Sequence, residues 1–129
     1  MAYTLNINSI ASATIDAGAF SIGKNASIQV SSSNAIQSNV SLQTGSWTAI
    51  SLGTLSNVAY ISLYNDNTVN TASIIQVATG STGGNVIATI QPGLPALIAW
   101  SGSLNGLYGT VTGASQGNVG VLQYYAQQA

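Results

Sequence analysis

Cysteine, histidine, arginine and glutamate are all missing from this 129-residue chain, and Asp16, Lys24 and Asp66 are its only formally charged side chains. Without cysteine there is no disulfide framework and no thiol nucleophile. Without histidine or cysteine, neither a Ser-His-Asp triad nor a Cys-His pair can be assembled, and zinc has too few ligands. A single cation removes the electrostatic footprint that supplies most nucleic-acid affinity, so no DNA or RNA partner is expected. The same shortage argues against attraction to anionic lipid, and no apolar run approaches the roughly 20 residues that cross a bilayer, so no membrane partner is expected. The stretch Met1-Ala2-Tyr3-Thr4-Leu5-Asn6 lacks the positive and apolar regions of a secretory signal; the expectation is a chain that starts in a cytoplasm.

What remains is unusual in its balance. Hydrophobic residues make up 46% and charged residues 2%, against roughly 25% charged in ordinary soluble domains. The surface must therefore be built from Ser, Thr, Asn, Gln and Gly, which hydrate well but exert almost no charge repulsion between copies, and near-zero net charge favours association. The length suits one domain with its own core. Residues 1–49, richer in Ser and Asn, are readable within that domain as an N-terminal arm or an extra hairpin.

Short β-branched and aromatic runs recur between Asn, Asp, Gly and Pro, the pattern of consecutive strands and tight turns. Tyr3, Leu5 and Ile7 alternate with Thr4, Asn6 and Asn8. Asp16 to Ala19 reads as a turn, Phe20 and Ile22 as a short return ended by Gly23-Lys24-Asn25, and Ala26 to Val30 as another strand. Two short strands are expected between Ile36 and Ile50. From Val58 to Ile98 the runs Val58–Tyr64, Thr71–Val77, Val86–Ile90 and Ala96–Trp100 are separated by Asn65-Asp66-Asn67, Gly80 to Gly84 and Gln91-Pro92-Gly93, predicting an antiparallel meander. Leu107–Val111 and Val119–Tyr125 complete the set. With few straight-chain helix formers and no sustained 3.6-residue period, helix should be minimal. The expected fold is all-β, an antiparallel, jelly-roll-like β-sandwich of roughly 8 to 10 short strands.

Chemistry-bearing groups are sparse. Asp16 and Asp66 are the one carboxylate pair a glycosidase could use, and both sit in expected turns, where Asp is ordinary. Asn65, Asp66, Asn67 and Asn70 offer oxygens suited to calcium, but one carboxylate makes a weak site and an Asn-rich turn explains them better. Gly80-Ser81-Thr82-Gly83-Gly84 lacks the lysine and following helix of a phosphate cradle. No catalytic residue, metal or cofactor is expected, and an enzyme is disfavoured. Trp47, Trp100, Tyr108, Tyr124 and Tyr125 could form a sugar-stacking platform. Trp100 also reads as core, and adjacent Tyr124 and Tyr125 must face opposite sides of a strand.

From residue 50 to 126 the order of elements resembles the small β-sandwich structural proteins of tailed bacteriophages, which include head decoration, or cement, proteins. The resemblance is carried by Leu52-Gly53, by Asn57 leading into Val58–Tyr64, by Asn65-Asp66, and by the paired strand around Ile74 to Val77. It continues through Gln91-Pro92-Gly93 before Ala96-Leu97-Ile98, Leu107-Tyr108 and the closing Val119–Tyr125. That family often places an acidic residue after the proline-region glycine, where this chain has Leu94. The resemblance implies a homotrimer on the outer surface of a phage head that clamps neighbouring major capsid proteins.

The expectation is thus a virion structural protein whose partners are itself and a major capsid protein. Tyr3, Leu5 and Ile7 are candidates for an interacting arm, and Trp47, Tyr124 and Tyr125 for subunit packing. Two alternatives share the same composition: a glycan-binding tail or receptor-binding module, and a self-assembling extracellular filament subunit.

Overall fold

Alternation of apolar and polar residues, interrupted by glycine, proline and asparagine, produces strands throughout the computed structural model. It describes residues 3–15, 18–30, 34–66, 73–99, 106–112 and 119–128. The strands are β1 (Tyr3–Ile15), β2 (Gly18–Val30), β3 (Ala35–Gln43), β4 (Thr48–Ile50), β5 (Val58–Asp66), β6 (Ile74–Ala78), β7 (Val86–Ile90), β8 (Pro95–Ala99), β9 (Leu107–Thr112) and β10 (Val119–Gln128). No helix occurs among the described residues. The chain divides into two compact units, Met1–Ser33 and Asn34–Ala129, a division that falls ahead of residue 49.

The first unit is a two-stranded antiparallel ribbon, with Tyr3 opposite Val30 and Ile15 opposite Gly18. Gly23-Lys24-Asn25 does not end a strand as its composition suggested. It pairs with Ile10, Ser9 and Asn8, because a complete ladder from the partner strand outweighs a weak local turn preference. Thr4, Asn6, Asn8 and Ser27 are exposed, and the Ser27 hydroxyl donates to Asn6 Oδ1 at 2.8 Å across the ribbon.

The second unit holds two four-stranded sheets, β3-β10-β5-β8 and β4-β9-β6-β7. The loop between β6 and β7 closes a hairpin, held by Thr79 N–H donating to the Asn85 carbonyl at 3.0 Å. Behind it β5 pairs with β8, β4 with β9, and β3 with β10, all antiparallel. The segment is one long hairpin, and rolling it up adds the β5–β10 and β6–β9 pairs that complete the sheets. Eight strands in two Greek keys make a jelly roll, so the all-β antiparallel sandwich expected from the sequence is the observed fold.

The meander is corrected. Only β6 and β7 pair as sequence neighbours within 58–98; β5 lies between β10 and β8. A rolled hairpin sends successive strands to opposite sheets, and a period of two reports a strand's faces without naming its neighbour. Gln91-Pro92-Gly93-Leu94 does form the expected turn, with Leu94 N–H donating to the Gln91 carbonyl at 3.1 Å. Gly93 sits at φ 78°, as the third position of a type II turn requires.

Leu42, Ile61, Leu63, Ile75, Val77, Leu107, Val111 and Leu122 fill the space between the sheets. Each fully buried aliphatic side chain stabilises by about 1.5–3 kcal/mol before entropy is counted. Gly109 lets the layers meet: a Cβ there would lie 2.7 Å from Leu42 Cδ1, closer than packed carbons allow.

Candidate binding face and sandwich edge

Tyr3, Leu5 and Ile7 stand on β1 opposite Val30, Ile28 and Ala26; their side chains lie outside the described residues. Trp100, Asn67 and Asn70 also lie outside them. Trp47, between β3 and β4, is half-buried. Its indole lies on Gly83, so closely that a Cβ at that glycine would overlap the ring. The β6–β7 loop thus covers part of the ring, and the remainder stays exposed. Tyr124 belongs to the core at 5% exposure, and its hydroxyl donates to the Ser51 carbonyl at 2.7 Å. That leaves Tyr125, on the opposite side of β10, as the member of the pair available to a neighbour.

Asn65 and Asp66 are not in a turn. Both belong to β5 and diverge: Asn65 is fully buried and Asp66 half-buried. Asn65 Nδ2 donates to the Ser73 carbonyl at 2.7 Å and the Ile90 carbonyl at 2.9 Å. Its backbone N–H donates to the Leu94 carbonyl and its carbonyl accepts from Gly93 N–H. One amide thus ties β5 to the start of β6, the end of β7 and the turn before β8. Asp66 Oδ2 accepts from Gln123 Nε2 at 3.1 Å. Side chains directed to opposite faces of one strand do not converge on a cation.

The register of the β3-β10-β5-β8 sheet sets Gln37, Tyr125, Ser62 and Leu97 in one row, Asn39, Gln123, Tyr64 and Pro95 in the next, and Gln127 beside Tyr60. This is the sheet's outer face, since Ile61, Leu63, Leu122 and Ala126 alternate with these residues and are buried. Tyr125 donates its hydroxyl to Gln127 Oε1 at 2.6 Å. Gln127, 7% exposed, donates in turn to the Asn34 and Gln128 carbonyls. Burial raises the Tyr60 hydroxyl above its usual pKa, Ser62 opposes this by hydrogen bonding, and Tyr125 adds to it. Composition had singled out Tyr125 alone from this face. Tyr60-Ile61-Ser62-Leu63-Tyr64 carried the missing signal, its tyrosines alternating with core aliphatics.

At the side of the sandwich, β7 and β8 are the outer strands of their sheets. Val86, Leu94 and Leu97 there are the large apolar side chains most exposed among the described residues, at 45%, 51% and 39%. No described strand pairs with the free sides of β7 and β8, and neither strand contains a charged residue.

This arrangement offers a rigid polar-aromatic face and an uncharged apolar edge. No family model, curated protein or solved structure matches the chain.

Proposed function

We propose that this chain is a virion structural protein, a decoration subunit that trimerises on the outer surface of a tailed-phage head and braces contacts between major capsid proteins. The observation that carries the proposal is the β7–β8 edge, where Val86, Leu94 and Leu97 are exposed and uncharged. Proteins that must stay monomeric guard such edges with lysine or other charges. Here the proline that opens β8 is the one blunting feature of that strand, and the whole chain carries a formal charge of −1. The edge is suited to burial against a second copy. The same jelly-roll architecture serves viral capsid domains and lectins alike, so the assignment rests on the surface and the resemblance rather than on the fold. Many copies on a symmetric shell act multivalently, and each contact needs only modest net affinity to brace the lattice.

Light scattering and co-sedimentation with empty heads test this. A trimer of the 13.0 kDa chain that pellets with heads is expected, with a mass unchanged up to about 1 M salt because apolar burial is not screened. Leu94→Ser combined with Leu97→Ser should yield a folded monomer, since exposed substitutions shift stability by only about 0.5 kcal/mol. A wild-type monomer that stays in the supernatant would overturn the proposal.

A further inference from the structure

The outer face of the β3-β10-β5-β8 sheet contains a hollow of about 160 Å³ bordered by Gln37, Asn39, Ser62, Tyr64, Gln123 and Tyr125. About 150 Å³ accommodates a benzene-sized ring, so the hollow takes one six-membered ring. Its walls combine two aromatic rings with three primary amides and a hydroxyl. Tyrosine presents an apolar body and a polar tip, and amides both donate and accept hydrogen bonds. A ligand that matches needs apolar C–H faces for the rings and closely spaced hydroxyls for the amides.

The electrostatics narrow the class. Asp66 is the one charged side chain in residues 34–129, which contain no lysine or arginine, and it already accepts from Gln123. A phosphate, sulfate or nucleic-acid backbone would find no cationic side chain of the sandwich to pair with. The face is also held in place. Tyr125 is fixed through Gln127 to backbone carbonyls, and donation by Gln123 Nε2 to Asp66 turns its amide oxygen the other way. Such fixing reduces the ordering cost of binding.

We propose that this face binds a neutral saccharide, with a sugar ring stacked on Tyr64 and Tyr125 and its hydroxyls hydrogen-bonded by Gln37, Asn39 and Gln123. Leu97 stands beside Ser62 at the margin of this face, but the sugar contacts and the assembly contact are assigned to different side chains and are tested by different variants.

The test is saturation-transfer NMR on the full chain with neutral oligosaccharides of glucose, mannose, galactose, xylose and N-acetylglucosamine, and with a sulfated oligosaccharide as the charged control. At least one neutral sugar should bind, and the sulfated one should not. Tyr64→Ala and Tyr125→Ala should each weaken binding about tenfold. Tyr125→Phe, which keeps the ring but loses the bond that fixes it, should weaken binding less than Tyr125→Ala does. Gln37→Ala, at an exposed position that leaves the core untouched, should weaken binding while the melting temperature stays unchanged. The Leu94→Ser, Leu97→Ser chain should retain binding whatever its mass. Absence of binding by every neutral sugar, stronger binding of the sulfated one, or wild-type affinity in Tyr64→Ala with Gln37→Ala would each overturn the proposal.

Discussion

Replacing Asn65 should expose how much of the sandwich depends on one buried amide. In Asn65→Ala the carbonyls of Ser73 and Ile90 lose donors at 2.7 and 2.9 Å. Leaving a buried acceptor without its donor costs about 1–3 kcal/mol, in place of the roughly 1 kcal/mol of an average net hydrogen bond. The change also removes Asn65 Oδ1, a buried oxygen with no partner, which offsets part of the loss. The balance is about 3 kcal/mol, or roughly 12–24 °C in melting temperature for a domain of this size. Asn65→Asp keeps the shape but puts oxygen in place of the donor, facing two carbonyls. Burial raises that carboxyl's folded-state pKa above its unfolded value of about 3.9. The folded state then binds more protons than the unfolded state, so the stability is fully present below about pH 4 and is lost as pH rises through the folded pKa. Thermal melts by near-ultraviolet circular dichroism at about pH 4 and pH 7, each referred to wild type, would measure both effects. An Asn65→Ala chain that melts within a few degrees of wild type, or an Asn65→Asp chain whose deficit is the same at both pH values, would refute the reasoning.

Tyr124→Phe keeps the core ring and loses the 2.7 Å bond to the Ser51 carbonyl; a loss of about 1 kcal/mol is expected in urea unfolding. Gly83 has φ 75° and carries the Trp47 ring against its Cα. Gly83→Ala should therefore cost more than about 1 kcal/mol and displace Trp47, read as a changed tryptophan emission maximum that a Gly84→Ala control does not show. The raised Tyr60 hydroxyl contributes stability that is present below the unfolded tyrosine pKa of about 10 and is lost as pH rises through the folded value. Tyr60→Phe should accordingly move the alkaline unfolding midpoint upward, measured by circular dichroism along a titration.

The strands were legible because each was written in local pattern. In β10, Leu122, Tyr124 and Ala126 face inward and Val121, Gln123 and Tyr125 outward, and glycine- or asparagine-rich stretches bound nearly every run. Their partners were not legible. Leu122 stands between Val40 and Asn65, and no nearby residue encodes either choice; both follow from rolling the hairpin. Asn65 was misread for the same reason. In isolation Asn-Asp-Asn is turn chemistry, and what makes Asn65 a core residue is a pair of carbonyls 8 and 25 positions away. Nor was the contact of Trp47 with Gly83 legible. The outer tyrosine face follows this division: alternation in β5 set Tyr60 and Tyr64 on the side opposite Ile61 and Leu63, but only the pairing of β5 with β10 brings them to Tyr125 and Gln123.

The same pairing map separates two routes to assembly. Every described partner of β3 to β10 lies within residues 34–129, and β1 and β2 pair only with each other. A chain lacking residues 1–33 should therefore fold, with a sandwich transition within about 5 °C of the full chain. The ribbon alone should be largely unfolded, because two strands do not suffice in water. Register sets Tyr3, Leu5 and Ile7 opposite Val30, Ile28 and Ala26 in that ribbon, so it too has the makings of a contact element. Light scattering on the truncated chain distinguishes the two. If the proposed trimer forms without residues 1–33 and is lost in Leu94→Ser, Leu97→Ser, the β7–β8 edge holds the subunits together. If truncation yields a folded monomer while the double variant stays trimeric, the ribbon does so, and the edge assigned to self-association is wrong. A truncated chain that does not fold would show that the sandwich needs contacts beyond its own strand pairs.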